Sequence, residues 1–140
     1  MLCLIALGWV LPDIRKSGRL PKYNPGRRPT FSIKDWEYLC EQMANELVER
    51  KLSELKKWIS EIKRKRNPCK SDQDSLDACI CLLCAMHLVE RKDCLMIGNT
   101  DTGYMVVPAE VGLSRELEEC CRKTDRDPSS WIKPFSFNTV

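Results

Sequence analysis

Hydrophobic positions recur at helical spacing between residues 33 and 66, a stretch that contains no glycine or proline. Two apolar stripes are present, and each alternates between steps of four and three residues, as one face of an α-helix does. The one-residue step between the stripes predicts either a helix break near residues 49–53 or one long helix with two contact faces. The stripes consist of Trp36, Cys40, Met43 and Leu47, and of Val48, Leu52, Leu55, Ile59 and Ile62.

The second stripe, Val48 to Ile62, also has the spacing of a short heptad seam. Such a seam is compatible with a coiled-coil homodimer through its five apolar residues. It covers only about two heptads, which is less than a sustained coiled coil shows. Packing of the same stripe within its own chain is the alternative interpretation.

A second helix is predicted over residues 72–91, after Asn67-Pro68 ends the first. Ser71 followed by Asp74 resembles a helix-start signal, and acidic residues in a first turn suit the helix dipole. The middle of this helix, residues 78–86, is apolar on every side. All-round apolarity predicts a helix buried at the centre of the molecule.

Two β-prone runs follow this helix and flank the turn sequence GNTDTG, which predicts a β-hairpin over residues 93–107. A last helix is predicted over 114–124, with Ser114 as its N-cap. The fold class is therefore mainly α, a small helical domain with one β-hairpin. The expected organisation is an apolar N-terminal segment and proline-rich basic arm (1–31), a helical core (32–124) and an extended tail (125–140).

The charge distribution is uneven, although the net charge is only +3. Residues 1–70 carry a net +8 and residues 71–140 a net −5. The sharpest feature is the basic segment Lys63, Arg64, Lys65 and Arg66, to which Arg27 and Arg28 add a second basic pair. Such clusters fit the acidic groove of a nuclear import receptor or nucleic-acid phosphate. The alternative without a binding role is a solvated helix end, where cations complement the helix dipole.

Nine cysteines and a single histidine suggest a metal site as a further hypothesis. On a helix, Cys81, Cys84 and His87 recur every three residues and share a broad face, and zinc takes four such ligands. Cys94 is the first candidate for the fourth ligand. Cys69 and Cys120 are the other candidates. Cysteine used as a small buried hydrophobe is the alternative, in which case the chain binds no cofactor.

No motif of an enzyme nucleophile is present, and the single histidine leaves one candidate base. Burial of Cys81 and Cys84 in an apolar helix would raise their pKa and make them poor nucleophiles. We therefore expect no enzymatic activity. The odd number of cysteines and their close spacing favour a reducing compartment. The apolar run at the N-terminus is too short to cross a bilayer, so stable membrane insertion is not expected.

The opening MLCLIALGW, the chain length and the general character of a shuttling regulator together resemble a family of small viral nonstructural accessory proteins. The similar family is that of the 17-kilodalton nonstructural protein of fusogenic, bat-type orthoreoviruses. The resemblance implies a regulator that moves between cytoplasm and nucleus and alters host processes. Among the residues of this chain, only Lys63–Arg66 can carry that implication.

These observations lead to three functional hypotheses. The first is a non-enzymatic accessory protein, cytoplasmic and nuclear, whose partners are host regulatory proteins and a nuclear import receptor. The second is a basic protein that binds nucleic acid through the positively charged half of the chain. The third is a zinc-stabilised adaptor.

Overall fold

The fold is mainly α with a small three-stranded antiparallel sheet, as predicted. The computed structural model describes residues 2–13 and 18–135. The chain divides into two units: Leu20–Ile80 is the helical unit, and Met1–Arg19 with Cys81–Val140 is the sheet unit. The helices of the described residues are α1 (Leu2–Ala6), α2 (Ile33–Glu49), α3 (Ser53–Lys63), α4 (Lys70–Val89), α5 (Val111–Lys123) and α6 (Pro128–Trp131), and the strands are β1 (Cys94–Asn99), β2 (Gly103–Pro108) and β3 (Ile132–Phe135).

Helix α2 begins where the sequence predicts. The Ser32 hydroxyl oxygen accepts a hydrogen bond from the backbone N–H of Asp35 at 3.3 Å, which satisfies one of the open donors of the first turn. The helix stops at Glu49, and Lys51 then adopts a left-handed conformation with φ of 59°. The chain therefore breaks between α2 and α3, which confirms the first of the two alternatives for residues 33–66.

The two apolar stripes pack within the helical unit. Trp36 and Met43 of α2 are fully buried, as is Ile59 of α3. The indole N–H of Trp36 also donates to the backbone oxygen of Ile62 at 3.3 Å. The seam considered for a homodimer is interrupted by the helix break, and it buries its last two members inside its own chain. Packing within the chain therefore accounts for Ile59 and Ile62, whereas Leu52 and Leu55 are half-buried and Val48 is exposed. A homodimer through this stripe stays a prediction.

Helix α4 begins at Lys70, two residues earlier than predicted, and Ser71 is not its cap. Instead, the carboxylate of Asp72 reaches back and accepts a hydrogen bond from the backbone N–H of Cys69 at 2.9 Å. This is the backward half of a capping box. At the other end, Arg91 adopts φ of 55°, and the N–H of Lys92 donates to the carbonyl of His87 at 3.1 Å. That pattern closes the helix as a Schellman motif does.

The prediction that the middle of α4 is buried on every side is wrong. One face of the helix is buried, but the opposite face is exposed along its apolar half. The buried residues include Leu76, Cys79, Ile80, Leu83 and Cys84, and the exposed ones are Ala78, Cys81, Leu82, Ala85 and Val89. Apolarity on both faces shows that a helix can be buried all round, but the fold supplies packing on one face only.

The predicted hairpin is confirmed as β1 and β2, which pair antiparallel from Cys94 opposite Pro108 to Asn99 opposite Gly103. The Asn99 side-chain oxygen accepts hydrogen bonds from the backbone N–H groups of Asp101 and Thr102 and so shapes the turn. Gly98 has φ of 112°, and a Cβ there would lie 2.4 Å from the carbonyl oxygen of Gly103. Only glycine fits at this position.

The C-terminal part of the sheet unit differs from the prediction. Helix α5 begins at Val111 rather than at 114, because Glu110 and not Ser114 caps it, accepting from the N–H of Leu113 at 3.0 Å. The expected extended tail contains the short helix α6, and β3 then pairs antiparallel with β1 as a third strand. Residues 136–140 of that tail lie outside the described residues.

The core of the sheet unit joins the N-terminal segment to distant parts of the chain. Ala6 of α1, Leu95 of β1, Val107 of β2 and Leu113 of α5 are buried in one cluster. The apolar start of the chain is therefore a short helix that packs on the sheet and α5. None of the helices in residues 2–13 and 18–135 has both the length and the apolarity needed to span a membrane.

The division into units also changes the interpretation of charge. The helical unit holds 13 basic and 10 acidic side chains, a net of +3, and the sheet unit holds ten of each. The difference of +8 against −5 between sequence halves largely disappears because residues 1–19 belong with residues 81–140. A modest positive charge remains on the helical unit.

Candidate functional site

The basic segment Lys63–Arg66 lies where α3 ends. Lys63 is the last residue of the helix, and the N–H groups of Arg64 and Lys65 still donate to Glu61 and Ile62 in the last turn. From there to Cys69 the backbone is irregular, and Pro68 within it is buried. Lys63 therefore ends α3, and the other three cations sit on a short connection between two helices.

Two of the four cations have carboxylate partners. Lys63 Nζ lies 3.4 Å from a carboxylate oxygen of Glu41, and Lys65 Nζ lies 2.6 Å from Asp72. Arg64 and Arg66 are exposed. The structure thus divides the basic segment into two lysines engaged with the helical unit and two arginines presented to solvent.

Asp72 is the group that holds this connection in place. Its carboxylate accepts from Lys65, from the backbone N–H of Cys69 and from the Cys69 thiol at 3.2 Å. Burial works to raise the pKa of Asp72, but these hydrogen bonds outweigh it and keep the pKa below its usual value. The hydrogen bond between Lys65 and Asp72 raises the pKa of Lys65. Sequence reasoning missed this residue as a partner because it treated Asp72 only as part of an acidic first turn.

The second basic pair, Arg27 and Arg28, is exposed in a turn of the same helical unit. The Asn24 side-chain oxygen accepts from the N–H of Gly26 at 2.9 Å, and the N–H of Arg27 donates to the Asn24 carbonyl. The backbone N–H groups of Thr30 and Phe31 both donate hydrogen bonds to the carbonyl of Arg27. The pair is therefore displayed on ordered backbone, as a phosphate contact would require.

The cysteines considered as metal ligands lie in very different surroundings. On α4, Cys81 is exposed and Cys84 is buried, and Cys94 is buried on β1. A hydrogen bond with Cys3, together with burial, raises the pKa of Cys84 well above the usual range, and burial beside Asp93 raises that of Cys94. Because zinc binds the thiolate, these surroundings make metal binding costly.

The other two candidate ligands do not change this description. Cys69 and Cys120 are both exposed, and the Cys69 thiol donates to Asp72. Within residues 2–13 and 18–135, no three His, Cys, Asp or Glu side chains are grouped closely enough to hold a metal ion. The zinc site at Cys81, Cys84, His87 and Cys94 stays a prediction.

His87 lines an open cavity of about 530 Å³ in the sheet unit. Its charged neighbours balance: Arg91 and Lys92 supply two cations, and Asp93 and Glu110 supply two carboxylates. Lys92 is engaged by Glu90 at 2.9 Å, and Glu110 is engaged in capping α5. The lining selects neither an anion nor a cation, so the cavity does not identify a ligand class. Sequence reasoning did not find it, because its walls come from four separate stretches of the chain.

Comparison of the sequence with protein-family models, with curated proteins and with solved structures finds no match.

Proposed function

We propose that this chain is a non-enzymatic accessory protein that acts through protein–protein contacts and moves between cytoplasm and nucleus. The resemblance to small viral nonstructural proteins supports the same proposal. Its partners are host regulatory proteins and a nuclear import receptor, which takes up the basic segment Lys63–Arg66. The observation that carries the proposal is the presentation of Arg64 and Arg66 to solvent on an irregular connection.

An import receptor with an acidic groove needs cationic side chains that can leave a helix and extend into it. The connection after Lys63 meets part of this need, because its backbone makes no regular helical bonds between Arg66 and Cys69. Lys65 must leave Asp72 before all four cations can engage. The side chain of Lys65 is 48% exposed, but the Asp72 carboxylate that it must leave is only 11% exposed, so Asp72 opposes the exchange.

The test is to replace Lys63, Arg64, Lys65 and Arg66 by alanine in a chain fused to a tag large enough to prevent passive entry into the nucleus. The expected result is loss of nuclear signal in imaged cells. The control removes the same charge from exposed positions of the same unit, by Lys22→Ala, Lys34→Ala, Lys56→Ala and Lys57→Ala. An unchanged distribution of the first variant, or equal loss in the control, contradicts the proposal.

A second candidate function is the binding of nucleic acid by the helical unit. The exposed Arg27–Arg28 turn supports it, because this turn adds ordered cations to a unit whose net charge is already positive. Binding to a generic duplex or single strand should then weaken steeply as salt increases. Replacing both arginines by alanine should reduce the slope of log affinity against log salt by about 2. Absence of retention on nucleic acid at low salt removes this candidate.

A further inference from the structure

Two cysteine side chains of the sheet unit lie in contact, and the proposed function uses neither of them. Cys3 is on α1 and Cys84 is on α4, and a hydrogen bond joins their thiol groups. Both residues belong to the sheet unit, which holds residues 1–19 and 81–140. They are far apart in the sequence, so the fold of this unit brings the two sulfur atoms together.

The two helices approach each other at a second point, one turn further along. Ala6 lies three residues after Cys3 on α1 and therefore shares a face with it. His87 stands in the same relation to Cys84 on α4. Ala6 and His87 line the same cavity. This observation is independent of the thiols, and it places α1 alongside the part of α4 that belongs to the sheet unit.

The two thiols differ in their access to solvent and in their part in the hydrogen bond. Cys84 is only 7% exposed, whereas Cys3 is half-buried. The bond raises the pKa of Cys84, and a hydrogen bond raises the pKa of an acid that donates it, so the S–H of Cys84 donates to the Cys3 sulfur. An accepted hydrogen bond stabilises a thiolate, which is the form that attacks a disulfide. Oxidation would therefore begin at Cys3.

Two other cysteines lie near Cys84, but neither is placed as well to form a bond with it. Cys81 is three residues earlier on the same helix, where Cβ atoms are about 5–6 Å apart, and a disulfide needs roughly 3.5–4.5 Å. Cys94 is buried on β1 and acts on the pKa of Cys84 through its charge, whereas Cys3 is the hydrogen-bond partner. The contact therefore favours Cys3 as the partner.

We infer that Cys3 and Cys84 are a redox-sensitive pair, which closes to an intramolecular disulfide when glutathione disulfide accumulates and fastens α1 to α4. First, the Cys3 thiolate attacks one sulfur of glutathione disulfide, forms a mixed disulfide and releases one glutathione, which takes up the proton that Cys3 lost. The Cys84 sulfur then attacks the Cys3 sulfur, and its proton leaves with the second glutathione. Two protein thiols are oxidised, and one glutathione disulfide is reduced to two glutathione molecules. This inference does not depend on nuclear import.

The bond would change how firmly the N-terminal segment is held. Helix α1 has five residues, which is too few for a helix that is stable without packing. In the reduced protein, burial of Leu4 and Ala6 holds α1 in place. The disulfide would add a covalent tie and close a long loop in the unfolded chain, so the oxidised sheet unit should open less often than the reduced one.

Peptide mapping of the full chain, after incubation in buffers with graded ratios of glutathione disulfide to glutathione, tests the inference. Free thiols are alkylated before digestion, and mass spectrometry then identifies linked peptides and glutathione adducts. We expect a monomeric product with Cys3 linked to Cys84, in a fraction that rises with glutathione disulfide. Cys120→Ser, at an exposed cysteine of the same unit, should leave this link unchanged. A link from Cys84 to Cys81 or Cys94 instead, or no link at Cys84 in excess glutathione disulfide, overturns the inference.

Single substitutions test the order of the two steps and the effect on α1. Cys84→Ala should trap the mixed disulfide, with glutathione on Cys3, whereas Cys3→Ser should leave Cys84 unmodified because it is buried. In the wild type, oxidation should slow hydrogen exchange of the Leu7 amide, which donates to the Cys3 carbonyl, at least about tenfold. The same oxidant should not change that rate in Cys3→Ser. Equal exchange at Leu7 in the linked and the reduced wild type overturns the claim that the bond fastens α1.

Discussion

Helices α3 and α4 are both rich in apolar residues, yet they use them differently. On α3 the apolar residues occupy one stripe, and Ile59 and Ile62 are buried while the remaining sides carry charge. On α4 the apolar residues cover both sides, and only one side is buried. The difference teaches that periodic spacing reports where a helix packs, whereas apolarity on every side reports only that further packing would be favourable.

The largest effect should follow from removing a buried member of the α3 stripe. Ile59 is fully buried, so Ile59→Ala leaves a cavity and should lower the free energy of unfolding by about 2–5 kcal/mol. Urea denaturation followed by circular dichroism measures this loss. A loss below about 1 kcal/mol would mean that α3 is not packed as described.

A smaller effect is expected at the connection between the two helices. Asp72→Asn removes the ion pair with Lys65 and should loosen the segment 64–69, seen as faster hydrogen exchange of the Cys69 amide. Because the pKa of Asp72 is lowered in the fold, its stabilisation is full above its unfolded pKa of about 3.9 and is lost as pH falls through the folded value. The pKa of Lys65 is raised, so its share is lost only as pH rises through its folded value, above about 10.4.

The wild-type Cys69 amide should therefore stay protected between these limits and lose protection in acid, after correction for the intrinsic pH dependence of exchange. The Asp72→Asn variant should show no such acid dependence. If the variant is imported into the nucleus more efficiently than the wild type, Asp72 restrains the basic segment. Equal Cys69 exchange in both proteins at neutral pH would contradict the assigned role of the carboxylate.

The smallest effect is expected on the exposed apolar side of α4, where Leu82 lies. Leu82→Ala removes as much apolar volume as a typical core truncation. Because Leu82 is 42% exposed, the change leaves no enclosed cavity. The free energy of unfolding should change by no more than about 1 kcal/mol. A loss comparable to that of Ile59→Ala would show that this face is covered within the chain.

Much of the helical unit follows from local chemistry in the sequence. The Ser32 cap, the absence of glycine and proline over residues 33–66, and the slip between the two stripes lead to α2, α3 and the break between them. The hairpin likewise follows from the turn residues between its two strands. In each of these cases the determining contacts lie within a few residues of one another along the chain.

Other features depend on contacts between distant segments. β3 pairs with β1 although Pro134 and the short run around it give little strand signal. Helix α5 starts early because Glu110 provides a cap that serine usually provides. The open side of α4 could not be predicted because its residues resemble those of its buried side, and only the fold determines which side finds a partner.

Two of the three cysteines of α4 test most directly whether one side of this helix is exposed. Cys81 is exposed and Cys84, three residues later, is buried with a raised pKa. In native protein treated with iodoacetamide, mass spectrometry should find Cys81 alkylated at least tenfold faster than Cys84, which is buried. Equal protection of Cys81 and Cys84 would mean that α4 is buried on both sides, which contradicts the exposed apolar side described above.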